Sequence, residues 1–112
     1  MRMKQDMLDG ATAIYAELRG VTTAYYDCEL IEMQAKLALV REEAKAHQDG
    51  LVTGKNEGER KASLFTLTQG YHAALHRAQQ NTHQAKLNLA LADLRREELQ
   101  LRIGILNTEI GG

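Results

Sequence analysis

The sequence predicts an all-α fold, an antiparallel two-helix hairpin of coiled-coil character that oligomerises. Three observations carry the prediction. There is no proline in the 112 residues. Apolar residues recur every three or four positions on both sides of one short loop. That loop, Asp49-Gly50-Leu51-Val52-Thr53-Gly54-Lys55-Asn56, gathers turn-forming residues in mid-chain. Composition agrees, because strong helix formers dominate and the chain has one Phe and no Trp. Two thin rods offer surface but hardly any cavity, so catalysis is not expected.

The length sets a single domain, residues 1–112. A net charge of −1 provides no global positive field to steer polyanions. Cys28 is the only cysteine, which excludes an internal disulfide and suits a reducing cytoplasm. No apolar core follows Arg2 and Lys4, so a secretory leader is not expected. No run reaches the roughly 20 apolar residues that span a bilayer. A soluble, cytoplasmic protein without membrane association is expected.

The first helix is predicted over about residues 4–48. Its main stripe reads Ala11, Ile14, Leu18, Val21, Tyr25, Cys28, Glu32, Ala35, Leu39, Glu42, Ala46. A neighbouring stripe reads Tyr15, Thr22, Tyr26, Leu30, Met33, Leu37, Val40, Ala44. Together they form an apolar face wider than a two-stranded seam requires. Gly10 and Gly20 each weaken the helix by about 1 kcal/mol against Ala, so its start is expected to fray or to need packing.

In the loop, residues 49–56, Gly50 suits the left-handed conformation that follows a helix C-terminus. Asn56 and Glu59 resemble a capping box, with Asn56 as N-cap and Glu59 reaching back. The second helix is therefore predicted over about residues 57–108. Its stripe reads Leu64, Leu67, Tyr71, Leu75, Ala78, Thr82, Ala85, Leu89, Ala92, Arg96, Leu99, Ile103, Leu106, Ile110. A reversal near Val52 would set His76 beside Glu29 and His72 beside Met33.

Beyond Lys86 the second helix is apolar on more than one side. Leu87, Leu91, Leu94, Leu101 and Ile105 run beside Leu99, Ile103 and Leu106, and one partner helix does not cover both rows. Small thin folds bury little surface per residue. A homo-oligomer interface through these eight residues is therefore expected, the other reading being a monomer with an exposed apolar flank.

From Arg60 through Ala92 there is no Asp or Glu. Lys55, Arg60, Lys61, His72, His76, Arg77, His83 and Lys86 lie in or beside this stretch, and His72, His76, Gln79, His83 and Lys86 follow helical spacing. Such a strip could track a phosphate backbone. Its structural reading is charge complementation of the first helix, with Asp27, Glu29 and Glu32 opposite. Asn56, Gly54, Arg60 and Lys61 also have structural readings, as cap, turn and partners of Glu57 or Asp49. His72 and His76 have a chelating spacing, but no third ligand is evident and no metal or other cofactor is expected. Gly50, Gly54 and Lys55 do not have the spacing of a phosphate-binding loop. Cys28 falls on the main stripe as a buried small hydrophobe, and packing is favoured over base stacking for Tyr15, Tyr25, Tyr26 and Tyr71.

The segment Gly54-Lys55-Asn56-Glu57-Gly58-Glu59-Arg60-Lys61-Ala62 resembles a recurring stretch, Gly-Lys-Asn-x-x-x-Arg-Lys-Ala, of small phage and prophage helical-hairpin proteins. In layout the chain is similar to phage recombination mediators, oligomeric hairpins that help load a recombinase on single-stranded DNA coated by a binding protein. The resemblance implies a non-enzymatic accessory factor in phage-type DNA recombination or replication. Its partners would be itself and single-stranded DNA, the single-strand-binding protein or the recombinase, in the host bacterial cytoplasm. The competing expectation is a phage-encoded protein-interaction factor that inhibits a host or defence enzyme, or a virion assembly component.

Overall fold

The computed structural model describes residues 2–111, with the side chain of Ile110 outside the description. The described chain is helical and contains no strand: α1 (Arg2–Gln48), α2 (Glu57–Leu67) and α3 (Gln69–Gly111). α1 runs unbroken through Gly10 and Gly20, and α3 extends past the predicted end at Thr108. Three helices stand where two were expected, because Thr68 interrupts the second. By contacts the chain divides into two compact units, one made of the chain up to Tyr26 with that from Gln84 onward, the other of Asp27–His83.

In the Asp27–His83 unit, α1 ends in a Schellman motif. Gly50, at φ 67°, donates its N–H to the His47 carbonyl, and Leu51 donates to that of Ala46. The loop then runs alongside α2, where the Thr53 N–H donates to Ser63 Oγ at 3.1 Å. Asn56 caps α2 as expected, its Oδ1 accepting the Glu59 N–H at 2.9 Å. Glu59 reaches back one residue further than a capping box requires, and its Oε2 accepts the Lys55 N–H at 2.7 Å.

Thr68 is 1% exposed and serves both sides of the break. Its N–H and its hydroxyl both donate to the Leu64 carbonyl, at 3.0 and 2.8 Å. Its own carbonyl accepts the N–H groups of Tyr71 and His72, which opens α3. A hydroxyl bonded back to the preceding turn bends a helix; here, with φ −112° and ψ 16°, the helix stops and restarts. The stripe shifts by one residue as a result. Thr68 and His72 turn inward, while Leu67 and Tyr71, expected on the stripe, are exposed.

The pairing register of this unit also differs from expectation. His72 faces Glu43 rather than Met33, with Nε2 to Oε1 3.8 Å, and Thr82 donates to the Cys28 carbonyl at 3.2 Å. The cause is the reversal point. Because the loop lies along α2, the chain turns back at Asn56, not at Val52, and every cross-helix partner moves. These contacts make α1 and α3 antiparallel within the unit. Leu39, Ala46 and Ala78 are its buried apolar residues, flanked by half-buried Cys28, Ala35 and Leu75.

The other unit is built on the same plan. Ala85 and Ala92 are buried, the latter at 1% exposure. Ala11, Ile14, Leu18, Val21, Tyr25, Leu89, Leu99, Ile103 and Leu106 are half-buried. The Arg95 guanidinium pairs with Glu17, and Gln100 Nε2 lies 3.5 Å from Tyr15 Oη, which again sets antiparallel order. The main stripe of α1 repeats in heptads, about 3.5 residues per turn, which is the period of a helix wound on a partner.

Candidate nucleic-acid interface

The expected basic residues are spread over both units. Lys55, Arg60, Lys61, His72, His76, Arg77 and His83 belong to the Asp27–His83 unit, and Lys86 belongs to the other. All are exposed except His72, which is half-buried. His76 and His83 share a face of α3. Arg77, one residue on from His76, lies about 100° around the helix. The row is therefore broader than a single line.

Ion pairing separates these residues further. Lys61 Nζ lies 3.3 Å from Glu57 Oε1 on the exposed first turn of α2. His72 has two neighbours, the Glu43 carboxylate and the Phe65 ring, whose centroid is 4.9 Å from its own. The ring contact bridges the Thr68 break. Lys55, Arg60, His76, Arg77, His83 and Lys86 form no side-chain ion pair among the described residues. Asp27 and Glu29, expected to balance the strip, pair with none of it, and Glu32 binds Lys36 of its own helix at 3.1 Å. Among the described residues of the strip, only His72 lies near a carboxylate of α1.

The eight apolar residues expected at an oligomer interface fall into two groups. Leu99, Ile103 and Leu106 are half-buried on the stripe that faces α1. Leu87, Leu91, Leu94, Leu101 and Ile105 are exposed, Leu94 at 60% and Leu101 at 68%. Part of the neighbouring stripe of α1 forms a second exposed row. Leu30, Met33, Leu37 and Val40 of α1 are all open, although the sequence merges them with the main stripe into one wide face. Their heptad spacing, four and three residues in alternation, is the signal that sets them apart.

Tyr15, Tyr26 and Tyr71 are exposed rather than packed, and Tyr25 is half-buried with its ring centroid 5.7 Å from that of Tyr26. Cys28 is half-buried on the main stripe. Among the described residues no group of three or more His, Cys, Asp or Glu could hold a metal ion. No helix among them is long and apolar enough to cross a membrane. Comparison with protein-family models, with curated proteins and with solved structures gives no match.

Proposed function

We propose that this chain is a non-enzymatic accessory factor of phage-type DNA recombination or replication, acting in the host bacterial cytoplasm. In this reading the chain closes as an antiparallel hairpin, self-associates through its exposed α3 leucines and binds single-stranded DNA, with the coating protein or recombinase as further partners. The observation that carries it is an acid-free stretch whose exposed basic side chains, Arg60 and Arg77 with His76 and His83 beside them, form no ion pair among the described residues. Phosphates would displace the counterions around such side chains, and imidazoles and amides such as Gln79 would contact sugars or bases. Exposed Tyr71 supplies a ring on which a base could stack.

The exposed row Leu30, Met33, Leu37 and Val40 favours a second reading, a protein-interaction factor that masks a host or defence enzyme, or a virion assembly component. Fluorescence anisotropy with a labelled single-stranded oligonucleotide at low salt separates the two. The first reading expects saturable binding that salt weakens. Absence of binding at low salt would refute direct DNA contact and leave the second reading in front.

A further inference from the structure

The residues between Leu64 and Leu75 admit two windings. Leu75 follows Leu64 by eleven residues, close to three turns at about 3.6 residues each. A continuous helix would therefore keep both leucines on the side toward α1, where they are half-buried in the broken one. Only the residues between them would differ. In a continuous helix Tyr71 falls within about 20° of the line through Leu64, and His72 about 80° from it. The break at Thr68 reverses that order, leaving Tyr71 40% exposed and His72 half-buried beside Glu43.

We propose that the joint at Thr68 is a two-position switch, in which Tyr71 and His72 compete for one inner place against α1. The switch depends on neither DNA binding nor self-association. Three contacts hold the broken position. The Thr68 hydroxyl donates to the Leu64 carbonyl at 2.8 Å, His72 Nε2 lies 3.8 Å from Glu43 Oε1, and the His72 and Phe65 ring centroids are 4.9 Å apart. Different terms favour the continuous position. The Tyr71 ring leaves water, and the Tyr71 N–H, now on the Thr68 carbonyl at 3.0 Å, turns to that of Leu67 as in an unbroken helix. Both sets of contacts are small, so single substitutions suffice to move the balance.

Two local features suit a joint that moves. Gly70 has open space where a Cβ would stand and no positive φ, so the broken position does not require glycine there. A glycine just after the break does ease a change of backbone conformation. Beside the joint, Ala46, Leu51, Leu67 and Thr68 border an open cavity of about 270 Å³. Close-packed interiors resist rearrangement, and this space lets Leu67 and Thr68 shift without displacing α1. Passing to the continuous position carries α2 into line with α3, so Arg60 and Phe65 change place relative to His76 and Arg77.

The test is fluorine NMR of the full chain labelled with fluorotyrosine, the Tyr71 signal being the one lost in Tyr71→Phe. Its solvent isotope shift reads exposure, and in the wild type Tyr71 is expected to be largely exposed. Thr68→Val keeps the side-chain shape and removes the hydroxyl. His72→Ala removes the ring and carboxylate contacts at a half-buried position. Each variant is expected to move the Tyr71 signal toward a buried environment, and the double variant to complete the move with circular dichroism at least as helical as the wild type. Glu43→Gln is expected to act in the same direction as His72→Ala, but less. Amide exchange at Gln69 and Gly70 is expected to slow about tenfold in the double variant, as the break becomes helix. A Tyr71 signal that stays fully exposed in the double variant would overturn the switch. Loss of helicity there would overturn it too, since the continuous helix would then not be an accessible state.

Discussion

Replacing Gly54 tests why the turn between α1 and α2 folds as it does. Gly54 has φ 146°, and a Cβ built there would lie 2.7 Å from the Arg60 backbone nitrogen and 2.7 Å from Glu59 Cβ. Neither atom is the end of a flexible side chain, so Gly54→Ala must displace either the loop or the first turn of α2. That turn holds the Asn56 and Glu59 cap bonds. Backbone strain alone costs about 1–3 kcal/mol for a non-glycine residue in such a region, and losing the cap adds about 1 kcal/mol. The expected total is about 3 kcal/mol. Gly50→Ala is the matched control, since Gly50 also has positive φ but its Cβ would meet nothing within 4 Å. Its cost should be the left-handed penalty alone, about 1–2 kcal/mol. Asn56→Ala should cost about 1 kcal/mol. Urea unfolding followed by circular dichroism at fixed protein concentration ranks the three. The reasoning fails if Gly54→Ala is no more destabilising than Gly50→Ala.

Other perturbations follow from burial and charge. If Lys55, Arg60 and Arg77 each contact one phosphate, the logarithmic salt slope for single-stranded DNA is about −2.1, at about 0.7 per contact. Affinity then falls about 20-fold between 50 and 200 mM salt, and only about threefold in an Arg60→Ala, Arg77→Ala double variant. Equal slopes in anisotropy titrations of the two proteins would exclude these arginines. Leu39→Ala removes a buried side chain from the Asp27–His83 unit and should cost about 2–3 kcal/mol, the low end of the usual range because so thin a seam can close over the gap. An unfolding midpoint indistinguishable from wild type would contradict that packing. Leu94→Glu, at an exposed position, should leave helicity intact but abolish the proposed self-association, and unchanged sedimentation would rule the α3 outer face out as an interface.

The helices were legible because propensity and periodicity agree along both arms, and their caps were legible because Gly50 and Asn56 have local roles that neighbours do not alter. The break at Thr68 was not. Leu64, Leu67, Tyr71 and Leu75 keep helical spacing straight through it, and a hydroxyl bonding back to the Leu64 carbonyl leaves no trace in an apolar pattern. Register was lost for a related reason. It depends on the path of the loop, which the Thr53–Ser63 bond sets and composition does not. The positions of the cations were readable, but not their partners. Lys61 is paired with Glu57 inside α2, whereas His72 is engaged by Glu43 across the seam and Phe65 across the break.

These partnerships change what the segment from Gly54 to Ala62 can mean. Gly54 is required by the close approach of the loop to α2, Asn56 and Glu59 close the cap, and a Cβ on Gly58 would press to 3.3 Å from Asn56 Oδ1. Lys61 is drawn toward Glu57. The residues on which the phage-protein resemblance rests are thus largely occupied in shaping one turn. Proteins that share the segment need share only that turn, and any recognition at the tip falls to the side chains of Lys55 and Arg60. On the proposed function, partner choice falls instead to features the tip does not dictate: the exposed basic side chains of α3, the open row on α1 and the exposed leucine face of α3. Each can be altered without disturbing the turn, so each can be assigned or eliminated by itself.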